Sequence, residues 1–566
     1  MAGELVIRGG LVVDGTGSEP FRADVAISGD TIVAIGLDLP VAGDEIDATG
    51  CIVTPGFIDL HTHYDGQAIW SDRLDPSSGH GVTTTVIGNC GVGFAPCRAE
   101  NRDQLVDLMQ GVEDIPGIVM ADGLTWEWES FPDYLNALER RPRDANILAY
   151  VPHSALRVYA MGERALRREP ATPGDIETMQ RLIREAMDAG AAGFATSRQF
   201  IHRTGHGELI PSYDSGEGEL SALITAMEDR RRVFQIVLDV PRLGWEEELA
   251  MLRRVVGDSD RPTMFSFAQG VDSDAWRIAL ARVHEANADG QNIRPQIFPR
   301  PIGIILGHRL TANPFTDRPT FKRLPMDFAS RIAMLRKPEI RAAILAEQDD
   351  ADGNPLRMMA SDFERIFPLR ADANYEPDPQ DSVAAQAGRR GISVEEVAYD
   401  LLLEDNGEAM LLAAVGNYAN GHLDHVREML DDPTCVIGLG DGGAHYGLIC
   451  DASFPSFVLA HWGRDRTRGT MPLPQLVKAL SADTAAAIGI TDRGTIKPGL
   501  KADINIIEFD ALRLHKPKIV HDLPAGGMRL TQDADGYRAT LVNGAVIRRE
   551  GQSTAARPGT LIRMGR

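Results

Sequence analysis

From residue 83 to residue 439 the chain alternates short apolar runs with amphipathic stretches, and this alternation restricts the fold more than any other feature. Candidate strands fall at 83–88, 147–151, 193–196, 233–240, 263–268 and 436–439. Between two of them, residues 173–189 place Met179, Leu182, Ile183 and Ala186 at helical spacing, which predicts an amphipathic helix. Short strands that read as continuous apolar runs are buried on both faces. A parallel sheet or barrel covered by helices buries them in that way.

The two ends read differently. Residues 5–8, 11–14, 24–27 and 31–35 alternate apolar and polar side chains, with breaks at Gly9-Gly10, Gly15 and Gly29-Asp30. Residues 537–542 and 545–547 flank Asn543-Gly544, a hairpin turn signal. We expect one small β domain assembled from 1–57 and 493–566, around a body at 58–492. Residues 309–430 break the strand–helix rhythm. They are polar and partly helical, with loop stretches at 349–355 and 374–381, and read as an insertion that could cover the mouth of the body.

The net charge of −23 on 566 residues repels phosphate backbones and anionic lipid, so neither nucleic acid nor a membrane surface is an expected partner. There is no apolar run long enough to span a bilayer and no secretory signal at the start. The five cysteines, Cys51, Cys90, Cys97, Cys435 and Cys450, are too few and too irregularly spaced for a disulfide framework. A reducing cytoplasm is the expected compartment, and a homo-oligomer is compatible with the composition.

The segment carrying chemistry is Pro55-Gly56-Phe57-Ile58-Asp59-Leu60-His61-Thr62-His63. An apolar strand runs directly into two histidines, and on a strand residues i and i+2 share a face. Two neutral imidazoles on one face suit a zinc-like ion, and barrel enzymes place their sites at the C-terminal ends of strands. The competing reading is a pair of solvated loop histidines.

This segment, after an N-terminal β region, resembles the amidohydrolase superfamily. Gly81-Val82-Thr83-Thr84-Thr85-Val86-Ile87-Gly88-Asn89-Cys90-Gly91 is similar to a motif of its D-aminoacylase (N-acyl-D-amino-acid deacylase) branch. Gly438-Leu439-Gly440-Asp441-Gly442-Gly443 resembles the end of the eighth barrel strand. Gly494-Thr495-Ile496-Lys497-Pro498-Gly499-Leu500-Lys501-Ala502-Asp503 resembles the return to the β domain. The resemblance implies an α/β fold, a distorted (β/α)₈ TIM barrel with a small β-sandwich domain formed by both termini. It implies zinc held by His61, His63, Cys90 and Asp441, with Cys90 in the place of a carboxylated lysine. Asp441 would also take the proton of the attacking water. The substrate would be an N-acyl (D-)amino acid or a related N-acylated small molecule. Cys90 reads otherwise as an inert buried thiol, and Asp441 as part of an Asp-Gly-Gly turn.

His445, four residues beyond Asp441, is expected to polarise the substrate carbonyl or bind a carboxylate. His153 and Tyr213 match positions where the branch contacts substrate, although packing explains His153 equally well. His80 and His461 read as packing residues.

The pattern also departs from the branch, which uses histidines at the ends of strands five and six. Neither Val237 nor Ser266, the corresponding places, is a histidine. His61, His63, Cys90 and Asp441 alone complete one tetrahedral shell, which favours one zinc ion while leaving two compatible. Asp239, His202 and His206 are the candidate substitute ligands. Two other functions stay open: a hydrolase of a cyclic amide, ester or carbamate, and a non-catalytic binding protein on a degraded barrel.

Overall fold

A computed structural model describes residues 3–229, 231–270, 274–348 and 355–565. Part of the expected loop at 349–355 lies outside them. Eight parallel strands form the central sheet. In chain order they are β1 (Phe57–Asp59), β2 (Val82–Ile87), β3 (Asn146–Pro152), β4 (Gly193–Ser197), β5 (Val233–Val237), β6 (Pro262–Phe267), β7 (Asn292–Ile297) and β8 (Val436–Ile437). Each pairs with its chain neighbour, from β1 round to β8, in a nearly closed barrel. Among the described residues no ladder joins β8 to β1. That seam is crossed instead by two backbone bonds, from the Asp441 amide to the His61 carbonyl (3.0 Å) and from the His63 amide to the Gly442 carbonyl (2.8 Å).

Apolar residues such as Ile58, Val86, Leu148, Ala195, Val233, Met264 and Val436 pack together as a buried cluster from across these strands. Helices cover the outside. Pro173–Ala189 begins in a capping box of Thr172 with Asp175 and ends at Gly190 in the left-handed region. Such an N-cap is worth about 1 kcal/mol. Its buried face is the expected Met179, Leu182, Ile183 and Ala186, with Met187 added.

Several boundaries differ from expectation. The fifth strand stops at Val237 rather than 240, because Pro241 favours a first helical turn, and Val240–Leu243 is helical after Asp239. The eighth strand keeps only two paired residues, since Leu439 takes a left-handed φ of 64°. The Gly9-Gly10 pair does not end a strand. Gly3–Val12 is continuous, with a register shift between Ile7 and Gly10. β7 has no apolar-run signature because Pro295 and three polar residues interrupt it, yet Pro295 pairs in register with Phe265.

Strands from both termini form one nine-stranded, mostly antiparallel sheet, with Ile504–Ile507 paired to Ile52–Pro55. Within the stretch read as an insertion, a three-stranded antiparallel sheet starts earlier than expected, at Ile302–Leu306, and includes Ile366–Leu369 and Met410–Gly416. It packs its own core around Phe315, Leu335, Ile344 and Tyr399. Its first strand bonds to the loop after β8, with the Ile305 amide 2.6 Å from the Leu448 carbonyl. Among the described residues no helix is long and apolar enough to cross a membrane.

Candidate metal centre

His61 and His63 leave the end of β1 on one side of the chain and are buried, their ring centroids 5.4 Å apart. Asp59 Oδ1 accepts the His61 amide at 3.1 Å. His61 Nδ1 lies 3.0 Å from Gln296 Oε1 on β7. A carbonyl oxygen only accepts, so the proton sits on Nδ1 and the Nε2 lone pair is free. That Nε2 faces Cys90 Sγ at 3.2 Å and Asp441 Oδ1 at 3.5 Å. His63 Nε2 lies 3.6 Å from the same Asp441 oxygen.

Cys90 follows β2 in a turn where Gly88 (φ 81°), Cys90 (φ 57°) and Gly91 (φ 69°) all take left-handed backbone. A Cβ at Gly88 would meet the Tyr150 carbonyl at 2.3 Å, and one at Gly91 would meet Thr196 Cα at 2.7 Å. Only glycine lets the turn nest against β3 and β4. Asn89 Nδ2 donates to the Val86 carbonyl, and the Cys90 amide donates to Gln235 Oε1 on β5 at 3.1 Å. The Gly-Asn-Cys-Gly sequence is therefore a device for aiming one thiol.

Asp441 (φ 47°) and His445 (φ 51°) come from the loop after β8, also in left-handed backbone. Non-glycine residues held there cost about 1–3 kcal/mol each and persist where the surroundings over-determine them. The seam bonds to His61 and His63 do this for Asp441, and the His445 amide is fixed by the Glu113 carbonyl at 2.5 Å.

Glu113 is the residue that sequence reasoning missed. It is the last residue of helix Arg102–Glu113, 1% exposed, with Oε2 3.4 Å from both His63 Nε2 and His445 Nε2. A glutamate at a helix end carries no sequence signal of such a role. The nearest hint is Gly111, two residues earlier. A Cβ there would lie 2.1 Å from the Thr204 carbonyl carbon, so the missing side chain lets the loop after β4 dock on this helix.

Burial governs the electrostatics. It pushes the Asp441 carboxyl up to about 7 and drives the Glu113 carboxyl and the Cys90 thiol well above their ordinary values; nearby acids push the latter two further. It lowers His61 and His445 to about 4 and holds His63 well below its ordinary value. Glu113 Oε1 and His63 Nδ1 lack hydrogen-bond partners among the described residues. Two imidazoles, a thiol and a carboxyl form a zinc donor set, and ligand atoms of a tetrahedral site about 2.0–2.1 Å from the ion lie about 3.3 Å apart. The separations of 3.2, 3.5 and 3.6 Å between neighbours along Cys90, His61, Asp441 and His63 match that spacing. His61, His63 and Cys90 have their ligand atoms within 4.8 Å of one another.

The remaining candidates separate. His202 is near the cluster. Its Nδ1 is 2.8 Å from Ser197 Oγ, and burial first, then His445 and His61, lower it to about 3. His206 lies apart, because its side chain is 84% exposed and pairs with Asp107 at 2.8 Å. Asp239 is also directed elsewhere. It accepts from the Tyr213 hydroxyl at 3.0 Å and lies 3.7 Å from Arg242, which itself donates to Tyr213. His153 is fully buried with both nitrogens engaged, by Thr196 at 2.8 Å and Glu219 at 2.9 Å, so it packs rather than presenting a free nitrogen to substrate. His80 joins Ser456 to the Gln532 carbonyl, and His461 pairs with Glu376. All five cysteines are free thiols.

An uncharacterised protein of Mycobacterium bovis is 26% identical to this chain, covering 97% of it and 92% of the relative. The D-aminoacylase of Alcaligenes xylosoxydans xylosoxydans is 34% identical over 254 residues, 42% of this chain and 49% of the relative. In fold, the chain is similar to the crystal structure of N-acyl-D-glutamate deacylase from Bordetella bronchiseptica, complexed with zinc and a phosphonate inhibitor. That likeness has a TM-score of 0.65 at 24% identity, with all of both chains covered. The sequence profile of the amidohydrolase family matches residues 44–548, so the chain belongs to that family and is a hydrolase acting on carbon–nitrogen bonds other than peptide bonds.

Proposed function

We propose that the protein hydrolyses the amide bond of an N-acylated amino acid, with preference for the D configuration, at a single zinc ion. The observation that carries this reading is the run of donor atoms from Cys90 through His61 and Asp441 to His63, with separations of 3.2 to 3.6 Å, at the C-terminal end of the barrel. Similarity to a D-aminoacylase and to an N-acyl-D-glutamate deacylase supports the substrate class. His61, His63, Cys90 and Asp441 would hold the ion. The chemistry it supplies when bound is Lewis acidity, which polarises the amide carbonyl and acidifies the attacking water.

The chain's own residues do the rest. His61 and His63 are buried, whereas Asp441 keeps 23% and His445 26% of its side chain exposed. The open edge of the cluster is therefore an acid beside an imidazole. Asp441 accepts the proton that water loses as its oxygen attacks the carbonyl carbon. It returns that proton to the nitrogen as the C–N bond breaks. His445 hydrogen-bonds the carbonyl oxygen as it gains negative charge.

Amine release from a panel of N-acetyl-D- and N-acetyl-L-amino acids, with zinc supplied and metal content measured, tests the reading. We expect turnover of D substrates and one ion per chain. No turnover of any member would favour a cyclic amide, ester or carbamate substrate, for which the histidine-free ends of β5 and β6 already argue. Two tightly held ions would overturn the single-ion assignment.

A further inference from the structure

We propose that Glu113 is a metal donor of this centre, supplied from a helix end in place of the imidazoles that β5 and β6 do not provide. The inference rests on the metal reading of the site given above. Cys90 Sγ, His61 Nε2, Asp441 Oδ1, His63 Nε2, Glu113 Oε2 and His445 Nε2 follow one another with successive separations of 3.2, 3.5, 3.6, 3.4 and 3.4 Å. The ligand atoms of His61, His63 and Cys90 all lie within 4.8 Å of one another, and Glu113 joins them on the His63 side. The spacing from His63 to Glu113 matches the spacing within the accepted donors, and carboxylate oxygens are ordinary zinc ligands. The other oxygen, Oε1, is buried and has no hydrogen-bond partner among the described residues, so the carboxyl is not consumed by protein contacts.

The backbone around Glu113 is fixed from several directions. Asp114, the next residue, takes a left-handed φ of 51° and accepts from the Thr311 hydroxyl at 3.0 Å and the Gly447 amide at 3.2 Å. The Glu113 carbonyl holds the His445 amide. The helix end, the loop after β8 and the stretch after Ile302–Leu306 are thus tied together at the point where this carboxyl enters the cluster. By contrast, the polar side chain that β5 sends inward is Gln235, and its oxygen is spent on the Cys90 amide.

The test uses full-length wild type, Glu113→Gln and Glu113→Asp, each stripped of metal, titrated with Zn²⁺ against a competing chelator and loaded with Co²⁺ for absorption spectra. Glu113→Gln is expected to lower zinc affinity roughly 10-fold or more. Its cobalt bands should shift and gain intensity as the ion loses a donor, while Glu113→Asp retains part of the affinity. Zinc affinity within about twofold of wild type, or reduced affinity with an unchanged cobalt spectrum, overturns the proposal and leaves Glu113 as a packing partner of two histidines. Wild type that takes up neither ion fails differently, because it removes the metal reading itself. Circular dichroism of each variant separates loss of fold from loss of a donor.

Discussion

On the β1, β2 and β8 side of the barrel, Glu113, Asp441, Cys90 and the two histidines of β1 crowd together with oxygen and nitrogen atoms left unpaired. On the β4 and β5 side the buried acids are all engaged. Glu219 holds His153 and Arg157, Asp239 holds the Tyr213 hydroxyl, and Glu248 holds the Asp239 amide at 2.8 Å. Unpaired atoms remain on the second side too, at Arg198 Nε, Gln199 Oε1 and Gln235 Nε2, but among the described residues none of them is on an acid or an imidazole, whereas the first side has Glu113 Oε1 and His63 Nδ1. Buried polar groups are normally satisfied, so a concentration of unsatisfied ones marks where something else is meant to sit. The list of ionisable residues alone does not reveal this difference; their partners do.

The comparison is broken most severely by Asp441→Asn. On the open side it should cut kcat by about 10²–10⁴, the usual worth of a positioned acid–base group, with melting temperature held. Undiminished turnover would return Asp441 to a structural turn. The opposite experiment is Glu219→Gln. Removing one partner of a buried pair costs about 3–5 kcal/mol, here read as denaturant stability at pH 7, while metal content stays at the wild-type level. Glu219 is held down to about 2, against burial, by its bonds to His153 and its pairing with Arg157. A depressed folded pKa gives stability that is present above the ordinary carboxylate range and lost as pH falls through the folded value. The gap between wild type and Glu219→Gln should therefore close between about pH 4.5 and pH 2. The smallest effect is expected from Tyr213→Phe, which removes the bond to Asp239 and the acceptor of Arg242 and should cost about 1–2 kcal/mol. A larger change in kcat/KM than in stability would extend the working site across to β5.

Much of the barrel was legible because its strands are short apolar runs, and the helix at Pro173–Ala189 carried both its cap and its periodicity. β7 was not legible, since Pro295 and its polar neighbours hide a strand that only tertiary pairing reveals. In the site, His61 and His63 were singled out by a strand running directly into two histidines, whereas Cys90 and Asp441 were singled out by the resemblance of their glycine-rich turns to a family motif. Glu113 could not, because its role depends on where a helix stops relative to a loop more than 300 residues later. His206 was a candidate because it lies in the loop after the strand ending near Thr196, and Asp239 because it shares a strand face with Val237. The structure turns the first toward solvent and commits the second to Tyr213.

Because among the described residues β8 meets β1 through two single backbone bonds rather than a ladder, the barrel is a hoop whose clasp lies at the candidate metal centre. The clasp is made by the amides of Asp441 and His63, so loosening it parts the aspartate from the histidine pair before it disturbs any other strand. Local opening of a fold begins where the fewest bonds must break. In this hoop the join between the first and last strands and two of the candidate metal donors share the same two amides, those of Asp441 and His63.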